Sequence, residues 1–294
     1  MKRALWVVWL LLLSACSFQE PPQTFDQARI YLRQSVYFDR NDDGDFYCGC
    51  NWQWVGSSGG RIDFSSCGYE IHSQQERAAR TEWEHVVPAS QFGQPMLCWR
   101  NGGRENCNRT DPVFNRMEAD LHNLVPAIGE INAVRSNYRF GEIAGDPSQF
   151  GACEFEVDSS QRLAEPADAV KGQIARIYFY MSERYNLPMS ESQQLTMMRW
   201  HNQFPVTQWE IERDRRIARI MGHPNPFVSQ GREWVFAPEP EVAAGVRGNL
   251  NSKVYHLPEG CPSYHQISDI NRVEFASEQQ ALAAGYRKAG NCRQ

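Results

Sequence analysis

Nine cysteines in 294 residues constrain this chain more than any other feature. One of them, Cys16, stands apart. It follows a basic start, Lys2 and Arg3, and an apolar run from Ala4 to Leu13. A run of about ten residues is half what a spanning helix needs and has the form of a secretory leader, residues 1–15. The ending Leu13-Ser14-Ala15-Cys16 has the form of a bacterial lipobox, in which cleavage leaves Cys16 as the lipid-bearing N-terminus. An ordinary signal peptide with an incidental cysteine is the alternative. Ser17, rather than Asp, in the next position points to the outer membrane, and residues 16–24, with Pro21-Pro22, read as an extended tether. The other eight cysteines, Cys48, Cys50, Cys67, Cys98, Cys107, Cys153, Cys261 and Cys292, form an even set. In an exported chain that argues for disulfides, with pairings the sequence does not choose among. Zinc is the rival. No C-x-x-C occurs, and Cys48-Gly49-Cys50 has the wrong spacing for a zinc knuckle.

The formal net charge of −5 becomes −7 once Lys2 and Arg3 are removed. Such a chain does not coat nucleic acid by bulk charge, although a local basic cleft is compatible with it. Of the 30 basic residues only Lys2, Lys171, Lys253 and Lys288 are lysine. Arginine's planar fork suits bidentate phosphate contacts, and genomic bias is the competing explanation.

Residues 25–236 are aromatic-rich and free of low-complexity runs. Phe25 to Tyr37 has roughly helical apolar spacing. "DRNDDGD" then matches the front of a calcium loop, but Cys50 stands where the bidentate Glu belongs, so an acidic turn is expected. Pro166 to Leu187 is the clearest helix, with Val170, Ile174, Ile177, Tyr178 and Met181 on one period and Asn186 and Pro188 as the stop. Further helices are expected over Glu191–Gln203 and Trp209–Met221. Arg213, Arg215, Arg216 and Arg219 on the last form no single stripe, which suggests solvated or core-edge salt bridges. Residues 237–245 shift to Pro, acidic and small residues and read as a linker. Residues 246–294 suggest a strand pair and a short helix, too small to stand without a staple such as Cys261–Cys292.

The chemistry concentrates in "RTEWEHVVPAS", Arg80 to Ser90. On a strand, adjacent Glu84 and His85 leave on opposite faces. Glu84 suits a hard cation, and His85 can take a proton from an attacking water. Two simply exposed side chains at a strand end are the alternative. His85 lacks the second histidine of H-E-x-x-H, and "GSSGG", Gly56 to Gly60, reads as a turn rather than a nucleophile elbow. A second cluster, Asn115 to Ile143, holds Glu118, His122, Asn123, Glu130, Asn132 and Arg135. Asn132 is expected on a helix entered near Pro126, its amide either binding a cation or paired within the core. Between the clusters lies a Gly-containing loop with Arg100 and Arg104 between Cys98 and Cys107, suited to clamping phosphate or to decorating a surface.

"EWEHVVPAS", "MEADLHNLVPAIGEIN..RSN", "FYCGC", "GACEFEVD" and "DRRIARI.GH.NPF", taken together, resemble the bacterial endonuclease I family of periplasmic or secreted non-specific nucleases. The resemblance spans about Phe25 to Val228. It implies an α+β fold, disulfide-stapled, around a ββα-metal core. It also implies Glu84 and Asn132 as ligands of Mg²⁺ (with Mn²⁺ or Ca²⁺ able to occupy the site), His85 as general base, Glu118 as a further active-site acid and Arg104 on the cleaved phosphate. Arg100 is the alternative to Arg104. DNA, and RNA too, would be cut to 5′-phosphate products by a monomer facing the periplasm or cell surface, with soluble periplasmic or secreted protein as the alternative to membrane anchoring. Two of the eight cysteines lie beyond the nuclease region, which suggests that a family bridge is missing or rearranged. Residues 246–294 resemble a small Ada-type metal-binding module retaining only Cys261 and Cys292, with His256 and His265 nearby. The reading from a different class is a non-catalytic surface lipoprotein that captures extracellular nucleic acid. Such a receptor would not need Glu84, His85 and Asn132 together.

Overall fold

A computed structural model describes residues 20–145, 149–236, 245–268, 271–275 and 277–292. The leader, Cys16 and most of the proposed linker lie outside the described residues. No helix among those described is long and apolar enough to cross a membrane. The chain divides into two compact units, Met1–Trp234 and Val235–Gln294.

The first unit opens with α1 (Phe25–Tyr31), capped by the Thr24 hydroxyl. The helical spacing read to Tyr37 does not continue as α-helix, because Leu32–Val36 forms a π-helical turn. The acidic stretch that follows is a structural turn. Asp39 pairs with Arg216, Asp43 with Arg40, and buried Asp45 accepts the backbone N–H groups of Tyr47 and Cys50.

Strands β1 (Trp52–Val55), β2 (Gly59–Ile62), β3 (Arg80–His85) and β4 (Leu124–Ile128) form one antiparallel sheet in that order. "RIDFSSC" leaves the strand at Ile62, where Asp63 caps a 3-10 turn. Between β2 and β4 run short helices α2 (Gln75–Ala78), α3 (Ala89–Gly93), α4 (Leu97–Arg100), α5 (Gly103–Thr110) and α6 (Pro112–Glu118). The arginine loop is thus two short helices, joined by Cys98–Cys107.

Pro126 does not open a helix. It lies inside β4, opposite Trp83, and α7 (Gly129–Arg135) starts three residues later. β4 is an edge strand, where a residue without N–H is tolerated, and the Pro126 carbonyl accepts Phe46 N–H. Gly129 permits the abrupt switch from strand to helix. A Cβ there would lie 2.4 Å from the Arg77 carbonyl and 2.9 Å from Glu82 Oε1.

β5 (Arg139–Phe140), β6 (Glu156–Asp158) and β7 (Leu163–Glu165) make a small sheet of order β5-β7-β6. Three helices complete the unit, α8 (Asp168–Tyr185), α9 (Glu191–Gln203) and α10 (Gln208–Met221), followed by the single turn α11 (Pro226–Ser229). On α8, Ile174, Ile177, Tyr178 and Met181 are buried as their period requires, and Asn186 ends the helix in the left-handed conformation. Arg213 departs from the solvated reading. It is buried and donates to the Leu121, His122 and Leu124 carbonyls and to Tyr37 Oη, holding the entry to β4.

All six nuclease-region cysteines are paired, as Cys48–Cys153, Cys50–Cys67 and Cys98–Cys107, so none is left over. Gly49, at φ +69°, turns the backbone between Cys48 and Cys50, whose bridges run to different partners.

The second unit contains β8 (Val246–Asn249), β9 (Val254–His256), β10 (Arg272–Phe275), α12 (Glu278–Ala283) and β11 (Arg287–Lys288). Its sheet has four strands in the order β10-β8-β9-β11 rather than a single pair. β11 joins parallel to β9, and Cys261–Cys292 closes the unit. The core is small: Val246, Tyr255, Phe275, Ala281 and Tyr286.

Removing Arg213 takes a charge-assisted donor from three buried carbonyls, of which Leu121 keeps the Leu124 N–H. Arg213→Ala is therefore expected to destabilise the first unit by roughly 3 kcal/mol, read as a lower midpoint in urea unfolding. An unchanged midpoint contradicts the role assigned to it.

Candidate active site

Alternation along β3 sorts the site into two faces. Glu82 and Glu84 leave toward α7, while Trp83 and His85 leave toward α1 and the α3–α6 region. On the first face, Arg135 Nη1 donates to Glu84 Oε1 at 2.7 Å, and Asn132 Nδ2 donates to Glu82 Oε2 at 2.9 Å. Three residues apart on α7, Asn132 and Arg135 meet two carboxylates spaced two apart on β3. Arg135 is fully buried. It also donates to the His85 and Val86 carbonyls and lies over the Phe140 ring, so one guanidinium holds the end of β3. Glu82 in turn accepts from Arg77 and Arg80.

With its nitrogen held by Glu82, the Asn132 amide keeps Oδ1 as its acceptor. Burial pushes the Glu84 carboxyl up to about 7, against the opposing pull of Arg135. A buried carboxylate in this condition gains from further positive charge.

On the other face, His85 Nε2–H donates to the Glu118 carbonyl at 2.8 Å. That bond leaves Nδ1 as the unprotonated nitrogen. Burial, assisted by the positive charge of Arg104, drives the His85 pKa down to about 3, so the ring is neutral at physiological pH. Phe25 packs on the ring, centroids 4.9 Å apart, and Phe92 lies edge-on at 6.4 Å. The Glu118 carboxylate, almost fully buried at the end of α6, accepts from Arg104 Nε on α5. Glu118 thus holds His85 through its main chain and Arg104 through its side chain.

Glu84, His85, Arg104 and Asn132 all line one cleft of about 760 Å³; Glu118 stands behind it. Among the described residues, Arg29, Arg77, Arg80 and Arg104 line it together with two carboxylates, Glu82 and Glu84. The cleft is therefore basic on a chain whose net charge is −5. Arg100, the alternative to Arg104, does not line it and donates to the Pro95 carbonyl instead. Three participants escaped the sequence reading: Glu82, Phe25 and the role of Arg135. For Glu82 the signal was available, because a residue two before Glu84 on a strand must share its face.

Comparison with known proteins bears on the family of the chain as a whole. The endonuclease I family profile matches residues 24–232. The chain belongs to the endonuclease I family. An "Extracellular deoxyribonuclease" of Aeromonas hydrophila is 45% identical over 221 residues, covering 75% of this chain and 94% of that protein. A "Periplasmic deoxyribonuclease" of the same organism is 44% identical over 221 residues, covering 75% of this chain and 91% of the relative. "Endonuclease-1" of Buchnera aphidicola subsp. Acyrthosiphon pisum (strain APS) is 43% identical over 206 residues, 70% of this chain and 80% of the relative. The matched endonuclease I region contains the whole cleft, and the protein is a nuclease.

Two substitutions test the positioning of this endonuclease I cleft. Glu82→Ala frees the Asn132 amide to rotate, and activity is expected to fall about 10- to 100-fold, as for loss of a group that orients a neighbouring side chain in a site. Arg135→Lys keeps the charge but not the fork. It should lower activity by a similar factor while near-UV circular dichroism stays native. Wild-type rates in both variants would show that neither residue positions the site.

Proposed function

We propose that this protein is a metal-dependent, sequence-non-specific endonuclease that hydrolyses DNA, and RNA as well, to 5′-phosphate and 3′-hydroxyl ends outside the cytoplasm. The observation that carries the reading is the convergence of Glu84, Asn132, His85 and Arg104 on one basic cleft. Glu84 and Asn132 would hold the cation. Their donor set fits a hard ion such as Mg²⁺: one carboxylate with an oxygen beyond the Arg135 contact, and one amide oxygen freed by Glu82. When bound, Mg²⁺ supplies charge neutralisation at the scissile phosphate and the leaving 3′ oxygen.

The protein's own groups do the rest. His85 accepts the proton of the attacking water at Nδ1, its Nε2–H being committed to the Glu118 carbonyl. A neutral ring is ready for this at neutral pH. Arg104, steered by the Glu118 carboxylate, stabilises the phosphate as it is cut. Arginine contacts to phosphate and sugar carry little sequence information, which accounts for non-specific cleavage. Residues 1–15 would be removed on export and Cys16 lipidated, placing a monomeric nuclease, residues 25–236, on the outer membrane. Residues 237–245 would link it to the module formed by 246–294.

Plasmid digestion tests the reading directly. Oxidised wild-type protein should cut with Mg²⁺ and stop with EDTA, and His85→Ala should lose at least about 100-fold. DNA left intact with both Mg²⁺ and Mn²⁺ sinks the enzyme, whereas a His85→Ala variant cutting at the wild-type rate sinks only the site assignment. Burial holds Glu84 near 7, so below that pH protons compete with the cation for the carboxylate. Raising Mg²⁺ should therefore move the acid limb of the rate profile to lower pH. A limb independent of Mg²⁺ argues against Glu84 as ligand.

A further inference from the structure

The second unit carries a cluster that the nuclease reading does not use. His256, Cys261 and Cys292 bring a ring nitrogen and two sulfurs within 4.8 Å of one another. The sulfurs are joined as a disulfide, so they do not serve as thiolate ligands in this state. Their surroundings are unequal. Cys261 is buried and its Sγ accepts the Leu257 N–H at 3.0 Å; Cys292 is only half-buried. His256, 9% exposed at the end of β9, has an Nδ1 with no hydrogen-bond partner among the described residues. Burial lowers the pKa of the ring, keeping it neutral and able to accept a proton.

We propose that Cys261–Cys292 is a thiol-exchange site, with Cys292 the sulfur attacked and Cys261 the leaving sulfur, received by Leu257 N–H and His256. The co-reactant is a thiol. Its thiolate attacks Cys292 Sγ, a new sulfur–sulfur bond forms there, and the Sγ–Sγ bond breaks with its electron pair on Cys261. His256 takes the proton given up by the incoming thiol and, as imidazolium, faces the new Cys261 thiolate. The step exchanges one sulfur for another, and no outside oxidant enters. Exchange is faster when the leaving thiolate is stabilised and when the attacked sulfur is accessible, and the two cysteines divide these properties between them. The product is a chain carrying the incoming thiol covalently on Cys292.

The test uses the oxidised full chain and glutathione at neutral pH, with acid quenching, alkylation after unfolding and peptide mass analysis. At short times glutathione should be found on Cys292 and the alkyl label on Cys261, in at least about tenfold excess over the reverse arrangement. His256→Asn, which keeps a polar side chain in place, should slow exchange about tenfold. Glutathione mainly on Cys261, or evenly divided, overturns the proposal. So does a folded His256→Asn variant exchanging at the wild-type rate. Should that variant fail to fold, the position of the adduct in the wild type decides. None of these readings depends on whether the chain cuts nucleic acid.

Discussion

The Arg135 guanidinium is the contact on which the site depends. It reaches from α7 across to β3, where it bonds the Glu84 carboxylate and the His85 and Val86 carbonyls. A fully buried cation is costly unless paired and hydrogen-bonded, and here it is both. The consequence runs both ways. The strand end cannot shift without breaking several charge-assisted bonds, and the helix carrying Asn132 cannot slide along the strand. Gly129 makes the arrangement possible by letting the backbone turn from β4 into α7 against Arg77.

Around that contact, a strand's two faces divide the work. The carboxylates turn toward α7 and the imidazole toward α1 and α6, yet Glu84 and His85 line the same cleft because both lie at the end of β3. Each candidate group is held by a neighbour behind it: Asn132 by Glu82, His85 by the Glu118 carbonyl, Arg104 by the Glu118 carboxylate. Orientation by such partners is what lets a solvent-facing cleft keep a defined geometry. Among the described residues, four arginines and two acids share one cleft of an otherwise acidic chain, so positive charge is gathered locally.

Much of this was legible in the linear chain wherever a local rule applied. The α8 period is carried by Ile174, Ile177, Tyr178 and Met181, and the stop at Asn186 follows from its tolerance of the left-handed conformation. The Glu84-His85 division follows from alternation alone. What misled were residues whose local preference lost to tertiary context. Pro126 suggested a helix start, but an edge strand accepts it. Arg213 suggested solvent, but four buried oxygens receive it.

Sequence alone determined the family, the α+β class, the helix periods and the candidate set Glu84, His85, Arg104, Glu118 and Asn132. These are carried by residue identity and short-range spacing, which survive in one dimension. Only the tertiary structure decided the disulfide partners, the choice of Arg104 over Arg100 in the cleft wall, and the holding roles of Glu82, Arg135 and Phe25. Those depend on which residues, 50 or so positions apart for Asn132 and Glu82 or Arg135 and Glu84, meet across a strand and a helix. No local preference encodes such meetings, because they arise from packing the whole core at once.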